Sequence, residues 1–148
     1  MGLCEVREHM LREHRMLRRR LHEMEALAIS VAAGRATLFP FLCVHGLDLL
    51  EALEVQRIWQ EQSLLPAIRD LYGPEHAERA ACDQRSQRDL LRFQLEELTD
   101  RANPPVSIAY GLRDLATIVH EQLEQQEQLL FAPDPLRDDD VFAKIETA

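Results

Sequence analysis

Apolar residues return every three or four positions along almost all of this 148-residue chain. That periodicity restricts the fold more than any other feature. Side chains three and four apart share one face of an α-helix, so the pattern gathers into a single buried stripe only if the backbone is helical. It breaks in three places: at Gly34 and the following RATLFP, at Gly73-Pro74, and at ANPP, Ala102 to Pro105. The breaks predict four helices, from about Leu3 to Ala33, from Pro40 to Tyr72, from Glu75 to Thr99 and from Ser107 to Phe131. Gly34 is a natural C-terminal residue for the first, and Pro40 sits in the first turn of the second, where its missing N–H costs little. Gly46 weakens the second helix locally and Pro66 is expected to kink it. The tail APDPLRDDDVFAKIETA starts as loop. Asp138 to Asp140 would cap a short final helix, with Val141, Phe142 and Ile145 packing back. Four helices of this length joined by short loops predict an all-α, antiparallel up-down-up-down four-helix bundle, one domain over residues 1–148 with 133–148 as its tail.

Composition agrees with a folded helical domain. The chain is 46% hydrophobic and 29% charged, with 5 Gly and 5% aromatic residues, which excludes disorder and favours helix over sheet. A formal net charge of -9 argues against a nucleic-acid or anionic-membrane partner. The one dense basic stretch, RMLRRR from Arg15 to Arg20, lies among glutamates and reads as a solvated face. Cys4, Cys43 and Cys82 are odd in number, widely spaced and without a C-x-x-C pattern, so they are expected to be reduced thiols in a cytoplasmic protein. The first ten residues, MGLCEVREHM, carry charges rather than an apolar leader, and no segment is expected to be long and apolar enough to span a membrane.

The second and fourth helices end on related motifs, QRIWQEQSLLP (Gln56 to Pro66) and QLEQQEQLLFA (Gln122 to Ala132). The first and third carry a second related pair, EHRMLRRRL from Glu13 and DQRSQRDLL from Asp83, in which Arg18 matches Arg88 and Leu21 matches Leu91. The first helix pair therefore resembles the second, and a pseudo-two-fold axis is expected. The stripes place polar side chains inside. On the fourth helix the stripe reads Leu112, Leu115, Val119, Gln122, Gln126, Leu129, and on the second Leu49, Leu53, Gln56, Gln60, Leu64, Ala67. The first gives Met10, His14, Leu17, Leu21, Met24, and the third gives Gln84 followed by Leu91, Leu95 and Leu98. This predicts a buried polar layer of His14, Gln56, Gln60, Gln84, Gln122 and Gln126. Its amides would have to be bonded to one another or to water, because each can both donate and accept.

From Leu11 to about Pro133 the chain resembles the hemerythrin-like, HHE cation-binding domains. The resemblance lies in EHRML on the first helix, EQSLLP at the end of the second motif and EQLLFA at the end of the fourth. It implies a four-helix bundle in which an acid-His, a His-x-x-x-Glu, a second acid-His and a His-x-x-x-Glu or Asp hold two irons for oxygen binding, sensing or redox chemistry. His14 falls on the first family histidine. The remaining family ligands fall on Gln56, Gln60, Gln84, Gln122 and Gln126. An amide oxygen is a weak, uncharged ligand where iron calls for imidazole and carboxylate. The expectation is therefore a degenerate, metal-free site with no cofactor, in a binding or regulatory module whose partner is another protein or a small polar ligand. The alternative is an iron protein with a rearranged site, in which a one-residue shift turns Glu61 and Glu127 inward beside His14 and brings Arg57 and Leu123 to the histidine positions. His120 and Glu124, four apart on one face, are expected to be a solvated pair. No Ser-His-Asp or Cys-His arrangement, Gly-rich phosphate loop or HExxH is present, so no enzyme is expected.

Overall fold

A computed structural model describes residues 2–100 and 102–131. The expected tail helix around Val141, Phe142 and Ile145 lies outside the described residues. Within them the chain is all-helical, without a strand: α1 (Leu3–Ala32), a 3-10 turn (Ala36–Leu38), α2 (Phe39–Trp59), a π turn (Gln60–Leu64), α3 (Leu65–Tyr72), α4 (Pro74–Thr99) and α5 (Pro105–Phe131). The segments α2, π turn and α3 follow one another without a break, so four long helices pack into a bundle. α1 lies along α5 and α2, α3 lies against α4, and α4 touches α2 and α5 more lightly.

The helix ends follow from local chemistry. Gly34 adopts φ 103°. Its N–H reaches the Val31 carbonyl and the Arg35 N–H reaches that of Ser30, which satisfies the last carbonyls of α1 in the paired Schellman pattern. Gly73, at φ 96° and ψ 173°, makes the turn from α3 into α4, a backbone region open essentially only to glycine. Pro74 and Pro105 each open a helix, where an N–H would have no partner anyway. Between α4 and α5 the Asp100 carboxylate accepts the Ala102 N–H at 2.9 Å.

Where a kink is expected near Pro66, the helix departs from regular α-geometry. A proline here cannot bond to the carbonyl four residues back and its ring crowds that carbonyl. The helix widens there into a π turn, in which the Leu65 N–H bonds to the Gln60 carbonyl five residues back. The extra residue in the turn carries the inward stripe from Leu64 to Ile68, which is buried, rather than to Ala67, which is half-buried.

The third helix also differs from its expected stripe. Leu95 is exposed and Leu98 only partly buried, while Gln87 and Gln94 join Ala77, Gln84 and Leu91 on the buried face. The inner face of α4 is thus amide-rich along its length. Gly46, buried on α2, has a packing reason: a Cβ there would lie 3.2 Å from Leu98 Cδ1 and 3.3 Å from Leu112 Cδ1. Its missing side chain lets α2 approach both α4 and α5.

α2 is apolar around its circumference. Leu42, Leu49 and Leu53 enter the core while Phe41, Val44, Leu47, Val55 and Ile58 face outward. For that reason the continuous helical stretch Ala36–Tyr72 is, by length and composition, long and apolar enough to cross a membrane. This departs from the expectation that no segment would be.

Candidate functional site

The core falls into two apolar clusters. The larger contains Leu17, Leu21, Met24, Leu42, Leu49, Leu53, Leu112, Leu115 and Val119 among others. The smaller is built from Val6, Met10, Leu64, Ile68 and Ala77. On each helix a polar residue sits where one cluster gives way to the other: His14 between Met10 and Leu17, Gln56 and Gln60 between Leu53 and Leu64, Gln84 and Gln87 between Ala77 and Leu91. His14 is wholly inaccessible, and Gln56, Gln60 and Gln84 are each less than 10% exposed. Gln122 and Gln126 are half-buried rather than buried. They line a small cavity of about 70 Å³ together with Gln84, Gln87, Leu64 and Ile68, and that opening between α4 and α5 leaves them partly accessible.

The layer has a connected half and an unconnected half. His14 Nε2 lies 3.2 Å from Gln126 Oε1, and the Gln60 amide donates to the same oxygen at 3.1 Å. His14 Nδ1 lies 3.1 Å from Glu127 Oε1. Both Arg18 guanidinium NH2 groups donate to the Glu127 carboxylate at 2.6 Å, the bidentate geometry that makes an arginine–carboxylate pair strong. By contrast, both amide atoms of Gln56, and the Oε1 atoms of Gln60 and Gln122, are buried without a hydrogen-bond partner among the described residues. Each such group costs about 1–3 kcal/mol if it stays unbonded.

Burial and charge act in opposite senses on the connected half. Burial pushes the His14 imidazole below its ordinary range, against the opposing pull of the Glu127 and Gln126 contacts. The Arg18 guanidinium holds the Glu127 carboxyl below the usual carboxylate range, helped by the His14 contact. His14 is therefore a neutral ring at pH 7 and can donate at one nitrogen only. With Nδ1–H donating to the Glu127 carboxylate, Nε2 must accept. A half-turn of the Gln126 amide meets that need by presenting its NH2, and the unpartnered Gln60 Oε1 then takes the second amide proton by its own half-turn.

Glu127, absent from the expected layer, is thus central to it. Its signal in the sequence was the adjacent Glu-Gln of the repeated motif. The other residue of the shifted set, Glu61, is exposed and tied to Arg57 at 2.5 Å and Arg88 at 3.0 Å. Leu123, the other position of that shift, is a buried core residue. The donor set around His14 does not suit a pair of irons. It offers one imidazole, neutral amides and a carboxylate already occupied by a guanidinium, and the further carboxylate, Asp83, stands on the wall of the adjoining cavity rather than beside His14 among its hydrogen-bond partners.

His120 also lies elsewhere than expected. It does not pair with Glu124. Its Nε2 reaches Glu25 Oε1 across to α1 at 2.6 Å, and its ring lies 5.3 Å from that of His22. A wider groove of about 630 Å³ runs between α2 and α4, with Leu47, Val55, Leu91 and Leu95 on its walls and Arg57, Arg88, Glu54 and Glu61 along it. Those charges already pair with one another, and the groove shares none of the buried polar groups of the layer.

The chain matches no protein-family model, no curated protein and no solved structure at a significant level.

Proposed function

We propose that this chain is a hemerythrin-like, up-down-up-down bundle whose inner layer of His14, Gln56, Gln60, Gln84, Gln122 and Gln126 holds no metal. In this reading it serves as a non-enzymatic binding or regulatory module in the cytoplasm. The opposite running sense of α1 and α5 supports the topology: His14 meets Gln126, while Glu25, further along α1, meets His120, earlier on α5.

The observation that carries the functional reading is that amide atoms of Gln56 and Gln122 lack a hydrogen-bond partner among the described residues, Gln122 on the wall of a cavity of about 70 Å³. Ordered water or a small ligand with donors and acceptors of its own would satisfy Gln122 and its neighbours, where an iron pair would demand more imidazole and free carboxylate ligands than His14, the arginine-bound Glu127 and Asp83 supply. The groove between α2 and α4, apolar with a charged rim, is the surface on which a protein partner would sit.

The test is the iron content and visible spectrum of tag-free protein produced in iron-supplemented medium. The expected result is no stoichiometric iron and no absorption band in the visible. About one or two irons per chain with an iron absorption band would overturn the reading and return an iron site of His14, Glu61 and Glu127, with oxygen or redox sensing, to first place.

A further inference from the structure

Two helical turns along α1 from the inner layer, His22 and Glu25 stand three residues apart, so they share one face of the helix. Across the seam from them α5 presents His120. The two imidazoles and the carboxylate each bring one ligand atom to within 4.8 Å of the others. His120 Nε2 and Glu25 Oε1 are already 2.6 Å apart. His22 is exposed and makes no hydrogen bond to the described residues, while His120 and Glu25 are about 30% exposed. An ion could therefore reach the group from solvent without opening the core.

The geometry points to a divalent transition-metal site formed by His22, Glu25 and His120 at the α1–α5 seam, separate from the His14 layer. The ligand types select the metal. Two neutral imidazole nitrogens and one carboxylate suit zinc, cobalt, nickel or copper, whereas magnesium and calcium call for oxygen alone. Three protein ligands leave a coordination position for water, and zinc accepts that arrangement readily. The ligand atoms need to settle at separations set by bonds of about 2.0–2.2 Å to one ion. The exposed His22 side chain is free to swing to that distance, and Glu25 has only to exchange its hydrogen bond to His120 for a bond to the shared cation. Binding would join α1 to α5 at a level where the inner layer makes no connection, and it would compete with protons for the two rings.

The experiment is calorimetric titration of zinc chloride into tag-free, chelator-treated full-length protein at pH 7.5. Cobalt is titrated in parallel for its visible ligand-field bands, and circular dichroism checks the fold of every variant. One zinc per chain is expected, with a cobalt spectrum of low coordination number and a melting temperature that rises with added zinc. His22→Ala and His120→Ala should each weaken zinc by about tenfold or more, and binding should fade as pH drops from 7.5 to 5.5. His45→Ala, outside the cluster, should bind like the parent. Absence of saturable zinc binding would overturn the proposal, as would binding that survives the loss of His22 and His120 together. His22 is exposed, so His22→Ala keeps the test decisive even if a change at His120 disturbs the helix seam.

Discussion

His14 Nδ1 lies 3.1 Å from Glu127 Oε1, one residue beyond the position that the repeated glutamine motif pointed to. This contact crosses from α1 to α5 and joins a buried, neutral ring to a carboxylate that Arg18 holds from the solvent side. It makes the inner layer sensitive to protons.

The pH dependence follows from the sign of each shift. His14 has a folded pKa below its unfolded value of about 6.5, so it remains neutral in the fold while the unfolded chain takes up a proton. Its contribution is complete above about pH 6.5 and declines as the pH falls from there toward the folded value. Glu127, also depressed, contributes above its unfolded value of about 4.3 and loses that contribution as the pH drops through its folded value. Thermal melts should therefore fall between pH 7 and pH 5 in the parent and flatten over that window in His14→Gln. Equal slopes in the two proteins would show that His14 is not the titrating group.

Gln60→Glu and Gln126→Glu separate the two halves of the layer. Gln60 is almost wholly buried and its amide donates to the neutral Gln126 side chain, so a carboxylate there is expected to cost about 3 kcal/mol or more. At position 126 the new carboxylate faces His14 Nε2, and the ring can take up a proton to pair with it. Urea unfolding at pH 7 should rank Gln60→Glu as the more damaging change. The reverse order would mean that Gln60 reaches solvent.

Gly73→Ala tests the corner between α3 and α4. A Cβ there meets no atom within 4 Å, yet the backbone sits at φ 96°. The cost is conformational alone, about 1–3 kcal/mol, and should appear as a lower urea midpoint with an unchanged slope. An unaffected midpoint would mean that this corner relaxes to negative φ.

The thiols should react at different rates. Cys4 and Cys82 are exposed, while Cys43 is partly covered and burial pushes its thiol pKa up. Iodoacetamide at pH 8, with peptide mapping, should modify Cys4 and Cys82 well before Cys43, because the thiolate is the attacking species. Equal rates would contradict the packing of Cys43 near the start of α2.

Periodicity alone determined the helices. The breaks at Gly34, Gly73-Pro74 and ANPP follow from φ freedom and missing donors, which are local properties and need no partner. The inward direction of His14, Gln56, Gln60 and Gln84 was legible for the same reason, since a 3–4 stripe records which face of a helix avoids water. Tertiary structure decided the rest. The π turn ahead of Pro66 displaced the stripe from Ala67 to Ile68, and a pattern read with a constant helical repeat cannot register an added residue in one turn. The spacing between α4 and α5 left Gln122 and Gln126 beside a cavity, and Gln94 rather than Leu95 continues the inner face of α4. Long side chains such as Arg18 and Glu127 meet from positions at the edge of their stripes. Which edges face each other depends on how the helices are rotated and spaced, and one helix's sequence does not encode its neighbour's rotation.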